Sequence, residues 1–355
     1  MKKAIVAVPY LSGKGGTETV IKNFYEAVVA NDSEIDWKLV SFGGSKYPDW
    51  IKKWKKRVYN FSDKRIIQLG AYVTVMPNLL RKIIKNERPD YFIATNPVIW
   101  HLASKYKLKY SLTTKIIAWY HYSYKMKNIN PKYLKNVDKF WAISSGIEEE
   151  LEELGVPSKK IDVIYNPINL DNLPLVKRTK ANNHFIYIGR IDYNGQKNVS
   201  ELIRAFNLVK KDYKLDLYGA VDPEVKNRLL GLIDDKNRRE NIIFHGFSTN
   251  VWEKIKEADI LVLTSKYEGF GLVLCEAAAR GITLVSSNCP VGPGEIINKK
   301  NGFIYKTGDI LGLTKILSDL IEKENSDNSQ AEISESIDNF NYKNYEKRIA
   351  RSLKG

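Results

Sequence analysis

Leu261-Val262-Leu263-Thr264-Ser265 runs straight into Lys266-Tyr267-Glu268-Gly269-Phe270-Gly271-Leu272, and this stretch decides the reading of the chain. The apolar run reads as the end of a buried strand, and the glycines around Phe270 as a turn. From Leu272 the pattern becomes helical, through Glu276, Ala277-Ala278-Ala279 and on to Gly281. Backbone N–H groups near Phe270–Val273 open that helix without partners, which suits phosphate or sugar oxygens. Glu268 sits at the turn and Glu276 inside the helix, so the pair is placed to grip different parts of one long ligand. Read blandly, Glu268 caps the helix and Glu276 is solvated.

Outward from this stretch the same alternation fills the second half. Strand-like runs at His184–Ile188, Leu215–Tyr218, Ile242–His245, Ile260–Leu263 and Thr283–Ser286 are separated by helical patterns. The first half repeats it. Ala4–Val8 precedes a Gly-rich turn and a helix over about Thr17–Ala30. Lys38–Phe42, Tyr91–Thr95, Ile116–Trp119 and Phe140–Ile143 follow as strands. Ser144-Ser145-Gly146 caps an acidic helix, Ile147–Leu154, whose glutamates suit the helix dipole. Strand–helix alternation over both halves predicts an α/β protein with two doubly wound, Rossmann-like parallel sheets. Ligands bind beyond the carboxyl ends of such strands, so a cleft between the domains is the expected site.

At 355 residues the chain exceeds what one core usually serves. Asn166-Pro167-Ile168 and the polar Lys177–Asn183 read as a connection. The expected domains are therefore 1–165 and 166–340, with 341–355 as a closing helix. Glu324–Ser336 is polar and reads as a loop. Two cysteines, Cys275 and Cys289, are too few for a disulfide framework and fit a reduced, cytoplasmic protein. Met1-Lys2-Lys3 and the short apolar run after it read as a first strand rather than a signal peptide. No stretch approaches the roughly 20 apolar residues of a membrane span.

Three further groups carry chemistry. Arg190 leaves a strand end in Tyr187-Ile188-Gly189-Arg190, and Lys197 opens the next helix in Gln196-Lys197-Asn198-Val199. Meeting in one crevice, they would neutralise a diphosphate leaving group, as a metal does elsewhere. The chain contains no Asp-x-Asp, so no metal and no cofactor is expected. Gly15-Gly16-Thr17-Glu18 follows the first strand and lets a ligand approach a helix N-terminus, or simply makes a tight turn. His121, in Trp119-Tyr120-His121-Tyr122-Ser123, stands at a strand's carboxyl end, where a role in the site competes with a structural one.

Taken together, Gly15-Gly16, Gly189-Arg190, Lys197 and the Glu268…Glu276 pair resemble the GT4 glycosyltransferases of the GT-B fold. Within them, the chain is most similar to the lipopolysaccharide 1,6-galactosyltransferase and exopolysaccharide or capsule subgroup. Ala142–Ile147, Asn166-Pro167, Gly195–Val199, Cys289-Pro290-Val291-Gly292-Pro293, Asn301-Gly302 and Gly308-Asp309-Ile310 extend the likeness over about Val6–Leu320. The resemblance implies a retaining, metal-independent hexosyltransferase. A galactosyl or glucosyl group would pass from a UDP-sugar to a glycan or lipid-linked glycan acceptor. It implies Arg190 and Lys197 on the donor diphosphate and Glu276 on the ribose. Glu268 would lie on the transferred sugar, beside the amides of Phe270, Gly271 and Leu272. Gly16 would approach the phosphates, His121 the sugar or acceptor, and the last helix would cross back onto the first domain. One departure is the turn after the third strand of the second domain, here Tyr218-Gly219-Ala220-Val221. The resemblance therefore leaves open whether that turn makes the family's phosphate contact. Rival readings are a nucleotide-sugar 2-epimerase on the same fold and a non-catalytic membrane- or partner-binding protein.

The formal charge of +15 is concentrated in the first half, where Met1–Ile147 holds 26 Lys/Arg against 10 Asp/Glu. That implies an anionic partner, or a genome that favours lysine. In Trp50-Ile51-Lys52-Lys53-Trp54-Lys55-Lys56-Arg57-Val58-Tyr59, a helix would put Trp50, Trp54 and Val58 on one face. That is an interfacial anchor for the inner membrane surface, with a solvated loop as the alternative. No nucleic-acid motif accompanies the charge, so no nucleic-acid partner is expected.

Overall fold

The computed structural model describes residues 1–62, 64–171, 173–322 and 328–355. They form two compact units, Met1–Asn169 with Tyr342–Gly355, and Leu170–Asn341.

The first unit is built on seven strands: β1 (Lys2–Val8), β2 (Ile35–Gly43), β3 (Lys56–Asn60), β4 (Tyr91–Ala94), β5 (Lys115–Ala118), β6 (Lys139–Ala142) and β7 (Ile161–Val163). They are all parallel, in the order β3-β2-β1-β4-β5-β6-β7. The order reverses direction between β1 and β4, so two connections leave a crevice at those carboxyl ends. Helices α1 (Gly16–Phe24), α2 (Arg65–Thr74), α3 (Met76–Glu87), α4 (Pro97–Lys109) and α5 (Ser145–Glu153) join the strands. The helix expected to reach Ala30 does continue, but as a wider π-helical turn over Tyr25–Val29. Phe24 lies at an aromatic centre, against Trp37, Trp54, Trp119 and Trp141.

The stretch expected to be an amphipathic anchor is not a helix. Pro48–Ile51 is a single 3-10 turn, and Lys56–Asn60 becomes the edge strand β3. Trp50 and Trp54 are only 8% and 4% exposed. Trp54 stacks on Phe24 and leans on Tyr25, so both tryptophans belong to the core. Lys52, Lys53, Lys55, Lys56 and Arg57 remain at the surface, with Lys55 paired to Asp36 and Arg57 to Glu87.

The second unit is a six-stranded parallel sheet of β8 (His184–Ile188), β9 (Lys214–Tyr218), β10 (Ile242–Gly246), β11 (Ile260–Leu263), β12 (Thr283–Ser287) and β13 (Gly302–Tyr305). Its order is β10-β9-β8-β11-β12-β13, so its reversal falls between β8 and β11. Helices α6 (Val199–Leu208), α7 (Pro223–Leu230), α8 (Val251–Lys254), α9 (Leu272–Ala278), α10 (Pro293–Ile296), α11 (Ile310–Glu322) and α12 (Gln330–Glu335) complete it. The turn Tyr218–Val221 thus follows the second strand of this sheet, not the third. Residues 324–327 of the expected loop lie outside the described residues. The rest is not all loop: Ser329 and Glu332 form a capping box that starts α12.

The final helix, α13 (Tyr342–Lys354), belongs to the first unit. It buries Tyr345, Ile349 and Leu353, and its Ser352 hydroxyl accepts from Trp141 Nε1 at 2.8 Å.

Candidate functional site

The crevice between β8 and β11 is made by two loops laced together. The first carries Arg190 to Asn198, the second Thr264 to Gly271. Asp192 starts the lacing by accepting from the backbone N–H groups of Lys197 and Asn198, at 3.0 and 2.9 Å. Thr264 Oγ1 donates to the Lys197 carbonyl, Lys266 N–H to the Gln196 carbonyl, and Gln196 Nε2 to the Tyr267 carbonyl. Lys197 is thereby aimed across the crevice, and its Nζ meets Glu268 Oε1 at 2.6 Å. The two side chains are 16% and 9% exposed. Arg190 stands at the mouth and is exposed, with one guanidinium nitrogen 3.3 Å from Gln196 Oε1. Its carbonyl is fixed by the Tyr187 hydroxyl at 2.8 Å.

Two glycines make this geometry possible. A Cβ on Gly219 would lie 1.8 Å from the Gly189 carbonyl oxygen. The turn after β9 therefore supports the Gly189-Arg190 turn by direct backbone contact, whatever it offers a phosphate. Gly292 has a φ of +97°, and a Cβ there would fall 2.0 Å from the Phe270 carbonyl oxygen. Cys289–Gly292 thus presses on the back of the Phe270 turn. The Cys289 thiol is buried and pushed up to about 12, by desolvation first and then by the nearby Glu268 charge, so it is unreactive.

Past the turn, Phe270 is buried and packs edge-on against Phe340. Gly271, at φ +100°, opens α9 with no side-chain cap. The first N–H groups of α9 have no partner within the helix, as at any helix start. Glu276 is bound differently from Glu268. Its Oε2 accepts from Trp252 Nε1 at 3.0 Å, and Arg280 lies over the Trp252 ring. Burial raises the Glu276 carboxyl above its ordinary value, with the Trp252 hydrogen bond and the Arg280 charge acting against it. Arg190, Lys197 and Glu268 thus gather in one crevice, while Glu276 is held by its own partners one helix further on. A cavity of about 450 Å³ lined by Thr283, Gly302 and Leu320 lies at the amino ends of β12 and β13, the edge opposite the chemistry.

In the first unit, Gly16 is the first residue of α1 and is exposed. Glu18 folds back to accept from Gly13 N–H at 2.7 Å and holds the Gly-Gly turn in place. His121 follows β5 and is buried, in contact with Trp119 at 4.7 Å between ring centroids. Among the described residues neither ring nitrogen has a hydrogen-bond partner, and burial pulls its pKa down to about 3. The imidazole is therefore neutral at working pH.

The sequence reading missed the residues that hold these groups. Asp192 and Thr264 lace the crevice. Glu150 of α5 reaches the loop after His121, accepting from Ser123 Oγ at 2.6 Å and Tyr124 N–H at 2.7 Å. Glu150 was visible only as one of several glutamates suited to a helix start. The clue was its spacing from Ile147 and Leu151, which puts it on the helix face that the structure buries.

Residues 14–172 match the family described as Glycosyltransferase Family 4, and residues 176–337 match Glycosyl transferases group 1. The chain is 29% identical over 349 residues to the lipopolysaccharide 1,6-galactosyltransferase of Escherichia coli K12, covering 97% of this chain and 95% of that one. Among solved structures it is similar to the apo form of the lipopolysaccharide outer core galactosyltransferase WaaB. That match has 26% identity and a TM-score of 0.83, and covers 99% of each chain. Anabaena HepE in complex with UDP shares the fold at 17% identity and a TM-score of 0.79, with both chains fully covered. The two parallel sheets are those of the GT-B fold.

Proposed function

The chain belongs to the family 4 glycosyltransferases, and from that premise we propose that it moves a hexose, galactose or glucose, from a UDP-sugar to a glycan or lipid-linked glycan acceptor. The product belongs to cell-surface polysaccharide synthesis, made in the cytoplasm at the inner face of the membrane. Anomeric configuration is retained and no metal ion takes part. The similarity to lipopolysaccharide galactosyltransferases supports a galactosyl donor, and the UDP held by HepE supports the nucleotide.

The observation that carries the reading is the Lys197–Glu268 contact at the β8/β11 reversal. A diphosphate laid over this crevice would meet Lys197 inside and Arg190 at the mouth. As the bond from the sugar C1 to the phosphate oxygen breaks, its electron pair leaves with UDP, and both cations stabilise the charge that develops. The acceptor hydroxyl oxygen bonds to C1 on the same face, and its proton leaves on the departing phosphate oxygen. Glu268 faces the positive charge on the sugar and the amides of Phe270, Gly271 and Leu272 its hydroxyls. Glu276 takes the ribose, releasing Trp252. Gly16 lets the phosphates approach α1. His121, neutral, hydrogen-bonds the sugar or acceptor rather than carrying charge.

The test is a melting panel of the full chain in chelator with UDP, UDP-galactose, UDP-glucose, UDP-N-acetylglucosamine and GDP-mannose. A ligand bound only by the folded state raises the melting temperature. Stabilisation by UDP and by one UDP-hexose is expected. Stabilisation only when a divalent ion is added back removes metal independence, and no response to any nucleotide removes the transferase reading.

A further inference from the structure

Helix α2 is amphipathic in the wrong direction for a soluble protein. Its inward face is anchored by Tyr72, whose hydroxyl accepts from Tyr10 N–H and donates to the Phe42 carbonyl. Tyr72 also packs edge-on against Phe61. The opposite face carries Ile66 at 85% exposure, Leu69 at 58% and Val73 at 77%, spaced three and four residues apart as one stripe. Ile67 and Val75 are also exposed, at 54% and 45%, but lie off this stripe, Val75 on the other side of the helix. Not one residue of α2 is fully buried. Single exposed apolar residues are ordinary, but a continuous stripe of this kind marks an interaction surface.

The surroundings say what covers it. From Gly44 to Arg88 the sequence holds 12 Lys/Arg against 3 Asp/Glu, although Lys55 and Arg57 are paired with Asp36 and Glu87 away from α2. Lys64 immediately precedes α2, and the adjoining helix α3 turns Arg81, Lys82 and Lys85 outward while burying Leu80, Ile83 and Ile84. A protein partner of ordinary composition would not need so one-sided a charge, whereas an anionic lipid surface would. Ten residues of helix span about 15 Å, half a bilayer core, so α2 can lie in the interface but not cross it. Among the described residues no helix is long and apolar enough to cross a membrane. Tyr10 and Phe42 stand at the carboxyl ends of β1 and β2, so α2 covers the edge of the sheet to which Gly16 and His121 also belong.

We propose that α2 is an interfacial docking helix that inserts Ile66, Leu69 and Val73 into an anionic membrane, with the exposed cations at α2 and α3, Lys64, Arg65, Arg81 and Lys82, on the headgroups. The reading deepens the proposed transferase function, since a lipid-linked acceptor would then arrive at the edge that docks. Vesicle binding itself does not depend on that function.

Cosedimentation of the full chain with phosphatidylcholine vesicles, with and without phosphatidylglycerol, tests it. The wild type binds the anionic vesicles, and high salt releases it. I66S/V73S weakens binding by on the order of tenfold or more, since two apolar side chains no longer leave water. K64E/K82E keeps the helix but loses the preference for phosphatidylglycerol. Both variants keep the wild-type melting temperature and its shift with UDP, which certifies their fold. Undiminished vesicle binding by I66S/V73S overturns the proposal. So does wild-type protein that ignores anionic vesicles but dimerises through α2, with dimers lost in I66S/V73S. If vesicle binding behaves as stated while UDP gives no shift in any form of the protein, the transferase reading falls and the docking helix stands.

Discussion

Replacing Lys197 by Met and Glu268 by Gln, singly and together, should separate what the pair does for stability from what it does for the donor. At 2.6 Å and an effective dielectric constant of about 20, the attraction is roughly 6 kcal/mol before desolvation is subtracted. Both side chains are largely buried, so removing one partner leaves the other charge uncompensated, at a cost of about 3–5 kcal/mol. K197M should therefore lower the melting temperature of the Leu170–Asn341 unit by about 10 °C. The double variant, with neither charge left, should recover most of that loss. The donor responds with a different pattern. Lys197 gives the diphosphate a charge-assisted hydrogen bond of about 2 kcal/mol, so K197M should weaken UDP binding about 30-fold by calorimetric titration. E268Q removes the carboxylate that competes for the same ammonium, so UDP affinity should hold or rise. Sugar transfer in E268Q should fall on the order of 10²- to 10³-fold. Parallel loss of UDP affinity in E268Q and K197M would refute the division of roles. Wild-type affinity in K197M would remove Lys197 from the donor site.

Gly219→Ala forces a Cβ to within 1.8 Å of the Gly189 carbonyl, so the β8 turn must move. A loss of about 3 kcal/mol of stability and weakened UDP binding should follow, and a wild-type melting curve would contradict the geometry. Glu150→Ala unties Ser123 and Tyr124 beside His121 and should lower the transfer rate at least about tenfold while UDP affinity stays unchanged. Equal losses of rate and UDP affinity in E150A would show a general structural defect instead. Asp216 supplies the pH dependence. Burial pushes its carboxyl up, but hydrogen bonds from His184, His245 and Lys214 more than offset this and hold it below the usual carboxylate range. Because the folded value lies below the unfolded value of about 3.9, its contribution is complete above that pH and drains away as acid is added. The stability gap between wild type and Asp216→Asn, measured by denaturant titration, should close as the pH falls below about 4. A gap that stays constant down the acid range would refute the assignment.

Strand–helix alternation was legible because each of the long strands is a local apolar run of the right length. Two doubly wound sheets followed from it, and the described strands agree within a residue or two at most boundaries. The strands that were not read, β3, β7 and β13, are short or lie at sheet edges. Their residues alternate in burial or stay half exposed, so no continuous apolar signal marks them. Gly189, Arg190, Lys197 and Glu268 could be named from sequence because each sits at a strand end or helix start that local pattern reveals, and Glu276 because it lies in the helix that follows.

What the sequence could not decide is which of these residues meet. Lys197 and Glu268 are 71 positions apart and touch only because the strand order reverses between β8 and β11. That order is set by how whole strands pair, not by any window of residues. Burial was misjudged for the same reason. Trp50 and Trp54 look like an anchor beside five cations, yet the surrounding aromatic core claims them. Ile66 and Val73, which no sequence signal singled out, are left in water on the outer face of α2. The sequence alone determined the elements and the chemical types available at their ends. The tertiary structure decided which charges pair and which apolar faces stay open, because contact and burial depend on neighbours that the chain brings together only when it folds.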